Sequence, residues 1–468
     1  MADQTNKSAL YALEPLVQLF PEVRSPKRHV SFKEKMIWSA IALILYLVMA
    51  QIPVYILGVG SAGGPGFFGD LQYVLASRTG TIMQLGIGPI VTAGIIMQLL
   101  VGANLVNLDL HNPEDKSLFT GIQKILAVVV GFFQASAFVF SGLLTQGLGQ
   151  IGMGPMLFMV LQLMFGVLAV LFLDEMVSKF GFGSGISLFI VGGVATEVFW
   201  QAFNPLEAPA AGFRAGAIPN FISSLASGSP DAIGTAFFRE ASPNMMGVIG
   251  TILIFLIVIY AINIRVEIPL SYSQYGGMRG KYPIKFMYTS VIPIILAHVV
   301  IANVSIMANI TGWSFLGEFQ NGRAVGGLYA WLQAPQGLQE VAANPLQAIF
   351  YLCVIVVLCM GFAWLWMQVT NMSPSDVADQ LRRSGMSIPG FRKDQRIMEN
   401  MLSRYIFPVT LLGGAFLGVL ASGAEFLGAL GSGVGILLAV DIIYRLYQEI
   451  AKEQLSEMFP AARRLLGD

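Results

Sequence analysis

Long apolar runs separated by short polar stretches dominate the chain. They fall at about 36–57, 84–102, 119–142, 155–173, 183–201, 245–264, 286–309, 346–368, 405–424 and 430–450. Runs such as MIWSAIALILYLVMA (36–50) and MMGVIGTILIFLIVIYAINI (245–264) approach or exceed the length a helix needs to cross about 30 Å of hydrocarbon. Their apolar residues are continuous rather than alternating, which argues against a membrane β-barrel. Inside a bilayer the backbone must satisfy its own polar groups, and a helix does so within one segment. The pattern therefore predicts an all-α polytopic membrane protein with ten transmembrane helices.

The second run has an unusual prelude. GIGPIVTAGIIMQLLVG (86–102) is apolar enough to cross, whereas GSAGGPGFFGDLQYVLASRTG (60–80) before it is glycine-rich and spans nothing. A segment of this kind is tolerable at membrane depth only inside protein or a water-lined cavity. Ten runs also divide as five plus five. GFGSGISLFI (181–190) opens the fifth and GSGVGILLAV (431–440) the tenth, while Gly88-Pro89-Ile90 in the second matches Ile292-Pro293-Ile294 in the seventh. Five crossings per unit is an odd number, so the second copy is inserted upside down, as in many inverted-repeat transport proteins.

Charge orients this arrangement. With the amino terminus inside, 23 of the 27 Lys and Arg residues fall in cytosolic segments, and only Arg78, Arg214, Arg239 and Arg323 fall outside. That bias predicts both termini in the cytosol. The expected organisation is a cytosolic arm (1–35), a first half (36–201), an external loop (202–244), a second half (245–450) and a cytosolic tail (451–468). The arm shows no early apolar run with a small-residue cleavage site and reads as a partly helical segment along the interface. Overall composition agrees, at 55% apolar and 12% charged residues. Zero formal net charge leaves no global nucleic-acid footprint.

Two cytosolic loops stand out, about 265–285 and 371–404. In the second, SPSDVADQLRRSG has a capping serine and an amphipathic short helix, with another helix expected near Lys393. These loops offer Arg265, Arg279, Lys281, Arg382, Arg383, Arg392 and Lys393 to a partner, although positive-inside topology explains part of that charge.

Catalytic chemistry finds little support. Cys353 and Cys359 lie six apart in one apolar run, a spacing unsuited to an internal disulfide or a metal cluster. His298 is the one histidine in an apolar run, and no aspartate or glutamate sits mid-helix to pair with it. Asp174 and Glu175 are expected to end the fourth crossing and Glu425 the ninth. Metal sites, cofactor sites and a nucleophile are unsupported, and an ion-coupled pump lacks intramembrane carboxylates. A secondary transporter of a neutral solute, using Asn303, Gln134, Gln162 and broken helices, stands as the alternative to a conduit without a specific binding site.

Five motifs in order carry a resemblance. GIGPIVTAGIIMQLLVG, LDEMVSKFGFGSGISLFI, RVEIP with GKYPIKFMYTSVIPIILA, GFRK in the 8/9 loop and GSGVGILLAV resemble the large subunit of the SecY family, in its archaeal and eukaryotic branch and closest to the archaeal form. The resemblance implies that the second crossing is divided, with a plug at about 62–77. Gly60, Gly63, Gly64, Gly66 and Gly80 supply flexible ends for its movement. It implies an apolar pore ring of Ile87, Val91, Ile186, Ile190, Ile295 and Leu438, and polar lateral-gate positions at Thr92, Gln134 and Asn303. The family's function is passive conduction of polypeptides and lateral release of transmembrane segments, not enzymatic catalysis. Implied partners are two small membrane subunits, the translating ribosome docking on the 6/7 and 8/9 loops, signal sequences with nascent chains, and lipid. The archaeal cell membrane is the implied location, or the endoplasmic reticulum membrane if the chain is eukaryotic. One departure from the family pattern is Val434, which replaces a hydroxyl residue at the start of the tenth helix and leaves Ser432 or backbone to cap it.

Overall fold

The structure, a computed structural model, describes residues 11, 14–28, 30–55, 76–102, 105–106, 108, 112–140, 152–206, 214–239, 243–272, 278–311, 313–320, 323–370, 372–383, 386–387 and 395–458. Each of the ten apolar runs forms a helix. They are α1 (Phe32–Met49), α2 (Gly88–Gly102), α3 (Pro113–Phe140), α4 (Met153–Phe180), α5 (Gly185–Phe203), α6 (Met245–Asn263), α7 (Ile292–Thr311), α8 (Pro345–Val369), α9 (Gln395–Phe426) and α10 (Gly433–Met458). Six of these, α3 to α6 with α8 and α9, are long and apolar enough to cross a membrane; α2 and α7 are shorter apolar helices. At 1.5 Å per residue the 15 residues of α2 reach only roughly 22 Å. The preceding residues must supply the remaining depth.

Several helix ends depart from the apolar pattern because caps, not hydropathy, set them. The first helix begins where Ser31 Oγ accepts the Glu34 N–H at 3.4 Å, and it stops at Met49 instead of continuing to 57. The fourth continues to Phe180, so Asp174 and Glu175 lie within it rather than at its end. The helix expected near Lys393 and the ninth crossing are one 32-residue helix with Pro408 inside it. At roughly 48 Å it is longer than any bilayer core.

The chain packs as two compact units, one from residues 1–196 with 442–468 and the other from 197–441. In the first, α3 packs on both α2 and α4, and α4 on α1. The amino-terminal arm is fastened to this set. Its short helix Glu14–Leu19 lies on α3, and the Tyr11 hydroxyl donates to the Asp115 carboxylate, which pushes the phenol up to about 12. Glu22 accepts from Lys179 at 3.0 Å, and this bond holds its carboxyl below the ordinary range. Lys179 and Lys124 also flank the buried Glu175, at 2.8 and 3.0 Å.

In the second unit α8 and α9 make the most extensive helix pair. Small residues permit it. A Cβ on Gly414 would lie 2.8 Å from the Cys359 carbonyl, and one on Gly418 would lie 2.8 Å from Val356 Cα. Cys359 is buried here and Cys353 exposed, both as free thiols. The connections form a small module beyond the helices. Strands β1 (Arg265–Tyr272) and β2 (Met278–Lys285) make an antiparallel hairpin in the 6/7 connection. A separate hairpin, β3 (Glu318–Gln320) and β4 (Arg323–Gly326), lies in the 7/8 connection. β5 (Met386–Ser387), from the 8/9 connection, pairs with β1 and completes a sheet ordered β2-β1-β5. Ile268 and Ile284 from the hairpin bury against Val377, Ala378 and Leu381 of the helix Pro374–Arg383 and against Met398 and Leu402 of α9. That short helix begins as expected, with Ser373 Oγ accepting the Asp376 N–H.

Candidate functional site

The residues flanking the glycine-rich prelude form a neck. Val54 N–H donates to the Gly80 carbonyl at 2.9 Å and Ile82 N–H to the Ile52 carbonyl at 3.0 Å, closing an antiparallel bridge of Pro53 with Thr81. The chain that leaves α1 thus returns beside itself before α2 begins. Gly80 takes φ of 76°, a left-handed conformation that glycine adopts without a Cβ penalty. Both of its backbone groups are engaged, since its N–H donates to Gln84 Oε1 at 2.6 Å. Gln84 and Thr81 are each 1% exposed, so side-chain amide and hydroxyl satisfy the turn inside the protein. α4 braces the same neck. A Cβ on Gly166 would stand 2.2 Å from the Ile82 carbonyl oxygen, and Gln162 Oε1 accepts the Tyr55 N–H at 3.1 Å. Residues 56–75, which carry most of the expected plug and its hinges Gly60, Gly63, Gly64 and Gly66, lie outside the described residues.

Two pairs of helix starts carry the expected ring positions. Pro89 is the second residue of α2 and Pro293 the second of α7, places where a missing N–H costs nothing. Val91 and Ile295 each lie two residues farther on, so the repeat puts them at equivalent positions. Ile87 supplies the first carbonyl of its helix, accepting from Val91 N–H at 3.0 Å, and is buried. The fifth and tenth helices begin at Gly185 and Gly433. A Cβ there would meet Asp174 Cα at 2.5 Å and the Ala421 carbonyl at 2.6 Å, so each start is pressed against the preceding helix. Ile190 and Leu438 again occupy equivalent positions, the sixth residue of each helix, and both are buried. Ile186 is placed by Asp174, whose Oδ1 accepts its N–H at 2.9 Å and the Ser184 hydroxyl at 3.1 Å. Ser432 caps the other start through Gly435 N–H at 3.0 Å, leaving Val434 to bury completely.

Of the expected gate residues, Thr92 and Gln134 are half-buried and Asn303 is exposed. The structure adds a polar cluster that the sequence did not suggest. Glu425, buried near the end of α9, accepts the Tyr351 hydroxyl of α8 at 2.5 Å, and its other oxygen lies 3.5 Å from His298 Nε2 of α7. His298 Nδ1 is 3.0 Å from the Ile294 carbonyl, which can only accept, so that nitrogen carries the proton. The expectation that His298 has no carboxylate is therefore corrected. Glu425 lies far off in sequence and reaches it because α9 packs beside α7 and α8.

Four bases of the 6/7 and 8/9 connections already have partners. Glu267 sits 2.6 Å from Lys281 and 3.4 Å from Arg265, and Asp379 sits 2.7 Å from Arg382 and 2.8 Å from Arg383. The hydrogen bond from Lys281 holds the Glu267 carboxyl below its usual range. All four bases are exposed, so these pairs are weak and exchangeable. The side chain of Arg279, and both Arg392 and Lys393, lie outside the described residues.

Comparisons with known proteins cover nearly the whole chain. The SecY family model matches residues 81–447, and a model described as the plug domain of Sec61p matches residues 44–80. The two meet at the neck. A protein translocase subunit SecY of Methanothermobacter thermautotrophicus is 45% identical over 466 residues, covering 97% of this chain and 98% of that relative. A chain from "The structure of a protein conducting channel" is 41% identical with a TM-score of 0.79, covering 96% of this chain and 99% of the other. A chain from "Sec61 in the Canine ribosome-channel complex from the endoplasmic reticulum" is 40% identical with a TM-score of 0.77 and the same coverage. This chain belongs to the SecY family.

Proposed function

We propose that this SecY-family chain is the pore-forming subunit of a protein translocase, a passive conduit for secretory polypeptides that also releases transmembrane segments sideways into lipid. The observation that carries the reading is the neck. An antiparallel bridge between Pro53 and Thr81, with Val54 and Thr81 buried, closes the base of the segment matching the family's plug domain, directly before Ile87 and the helix that bears Val91. A displaceable plug needs such a fixed base. The apolar ring of Ile87, Val91, Ile186, Ile190, Ile295 and Leu438 resists wetting when empty and flexes around a peptide of arbitrary sequence. Its aliphatic side chains discriminate weakly among residues in transit.

The chain supplies the path and a partner supplies the energy. The ribosome-channel complex among its structural neighbours supports a translating ribosome as that partner, docking on the exposed bases of the β1–β2 hairpin and the helix Pro374–Arg383. Guanidinium forks suit phosphate oxygens. Two small membrane subunits, signal sequences and lipid complete the expected set. Archaeal relatives support the archaeal cell membrane as its location.

Single-channel conductance of the reconstituted complex tests the reading. Deletion of residues 62–77 combined with Ile190→Ser and Leu438→Ser should raise ion conductance, because it removes a barrier and gives water hydrogen-bonding partners at the ring. A well-folded, correctly assembled complex as ion-tight as wild type would refute the placement of the pore.

A further inference from the structure

Ala76, where the described chain resumes after residue 75, is held in an unusual way. It has φ of 46°, a left-handed conformation rare for a residue with a Cβ, and it is 2% exposed. Its carbonyl accepts the hydroxyl of Tyr46, which sits on α1 and is itself 2% exposed. The Tyr46 ring stacks on Phe189 of α5, with centroids 4.7 Å apart and planes within 17°. One turn along the same helix, a Cβ on Gly193 would come within 3.7 Å of Tyr46 Oη and 3.9 Å of Ala76 Cα. Three segments that are distant in sequence therefore meet at one buried hydroxyl.

We propose that Tyr46 is a positioning residue that latches the exit root of the plug to α5, and so links plug release to movement of the helix carrying Ile186 and Ile190. The inference rests on the plug reading given above. Phe189 and Gly193 form one stripe of α5, and Ile186 and Ile190 form the next. A polypeptide that spreads the ring must displace α5 side chains, and any shift of Phe189 tilts the stacked phenol away from the Ala76 carbonyl. A buried carbonyl without its donor is costly, and a residue with a Cβ held at φ above zero is strained. Release of the hydroxyl bond therefore favours the root leaving its seat. The neck at Pro53 and Thr81 is closed by its own backbone hydrogen bonds and braced by α4 at Gly166, so it remains the fixed base while Ala76 is the end that lets go.

Tyr46→Phe keeps the ring and its stack and removes only the hydroxyl. In the reconstituted complex it should raise the frequency of open events about three- to tenfold, the factor one hydrogen bond of ordinary net strength represents. The decisive comparison repeats Tyr46→Phe in a chain lacking residues 62–77, which has lost the Ala76 carbonyl, and there the substitution should add nothing. An unchanged open frequency for Tyr46→Phe in the intact chain, beside a leaky deletion, would overturn the latch and leave the plug reading standing. An equal increase in both backgrounds would show a merely structural role for Tyr46 and also overturn it. A deletion as tight as wild type would remove the plug reading itself, and the latch with it.

Discussion

At the scale of single residues, close backbone approaches decide more than polarity does. Gly166 and Gly154 both lie on α4, yet a Cβ on Gly166 would press on the Ile82 carbonyl at 2.2 Å, and one on Gly154 would meet nothing within 4 Å. Gly166→Ala should therefore push the neck away from α4 and destabilise the folded protein by about 1–3 kcal/mol, the range for overpacking. Gly154→Ala should stay within about 0.5 kcal/mol of wild type. Thermal unfolding of the purified protein distinguishes the two, and equal melting temperatures would refute the brace. Glycine content alone cannot separate these positions, because the difference resides in a neighbour more than eighty residues away in the chain. The same limit hid Tyr46 and the pairing of His298 with Glu425. Apolar periodicity marks each helix but does not say which carbonyl or carboxylate a buried polar side chain will meet. What the sequence did show at this scale was local: the helix-opening glycines, the two prolines and the capping Ser432, whose effects act within one or two turns.

Among the elements, the ten helices were legible because each is a continuous apolar run, whereas the module of the 6/7 and 8/9 connections was not. Clustered charge and, in the second loop, a capped amphipathic helix made these connections stand out, but β5 is two residues long and pairs with β1 from more than a hundred residues earlier. Short strands carry no periodic signal. The module has its own apolar core, so Leu381→Ala should cost it about 2–5 kcal/mol. Hydrogen exchange would report the loss as faster exchange of β1 and β2 amides with α8 unchanged, and unaltered strand protection would contradict the shared core. Exposed charges of the module behave differently. Glu267 has its carboxyl pKa lowered in the folded state, so the pair with Lys281 contributes above the unfolded carboxylate pKa and is lost as pH falls through the folded value. The difference in module stability between wild type and Lys281→Gln should accordingly vanish toward acid. Reversal of Lys281 and Arg383 to glutamate should weaken ribosome binding in a salt-dependent way with little change in melting temperature. Unaltered ribosome affinity in that double variant would return these bases to a topological role alone.

For the whole molecule, sidedness in residues 197–441 follows from contacts as well as from charge. The 6/7 and 8/9 connections share a sheet and so lie at one end of their helices. At the other end Gln339, in the 7/8 connection, donates to the Phe238 carbonyl of the 5/6 connection, and Gly337 N–H donates to the Glu425 carbonyl at 3.1 Å. Alternating connections thus gather at opposite ends, as an odd–even path through α6, α7, α8 and α9 requires. Contacts of this kind fix which loops are together but not which end faces the cytosol. The excess of Lys and Arg supplies that assignment, because basic loops are retained on the cytosolic side during insertion. In sequence, the two connections of the sheet end carry eight of these bases, against Arg214, Arg239 and Arg323 in the two connections of the other. Single cysteines at Ser271 or Ser387 should react with a membrane-impermeant maleimide only from the cytosolic side, and one at Ser229, beside the helix Pro230–Phe237, only from outside. The contacts also restrict how the expectation can fail. Since Ser271 and Ser387 are paired across β1 and β5, labelling of these two from opposite sides would contradict the sheet. Labelling of both from outside, with Ser229 reactive from the cytosol, would leave the sheet intact and invert the molecule, taking the docking bases away from any ribosome.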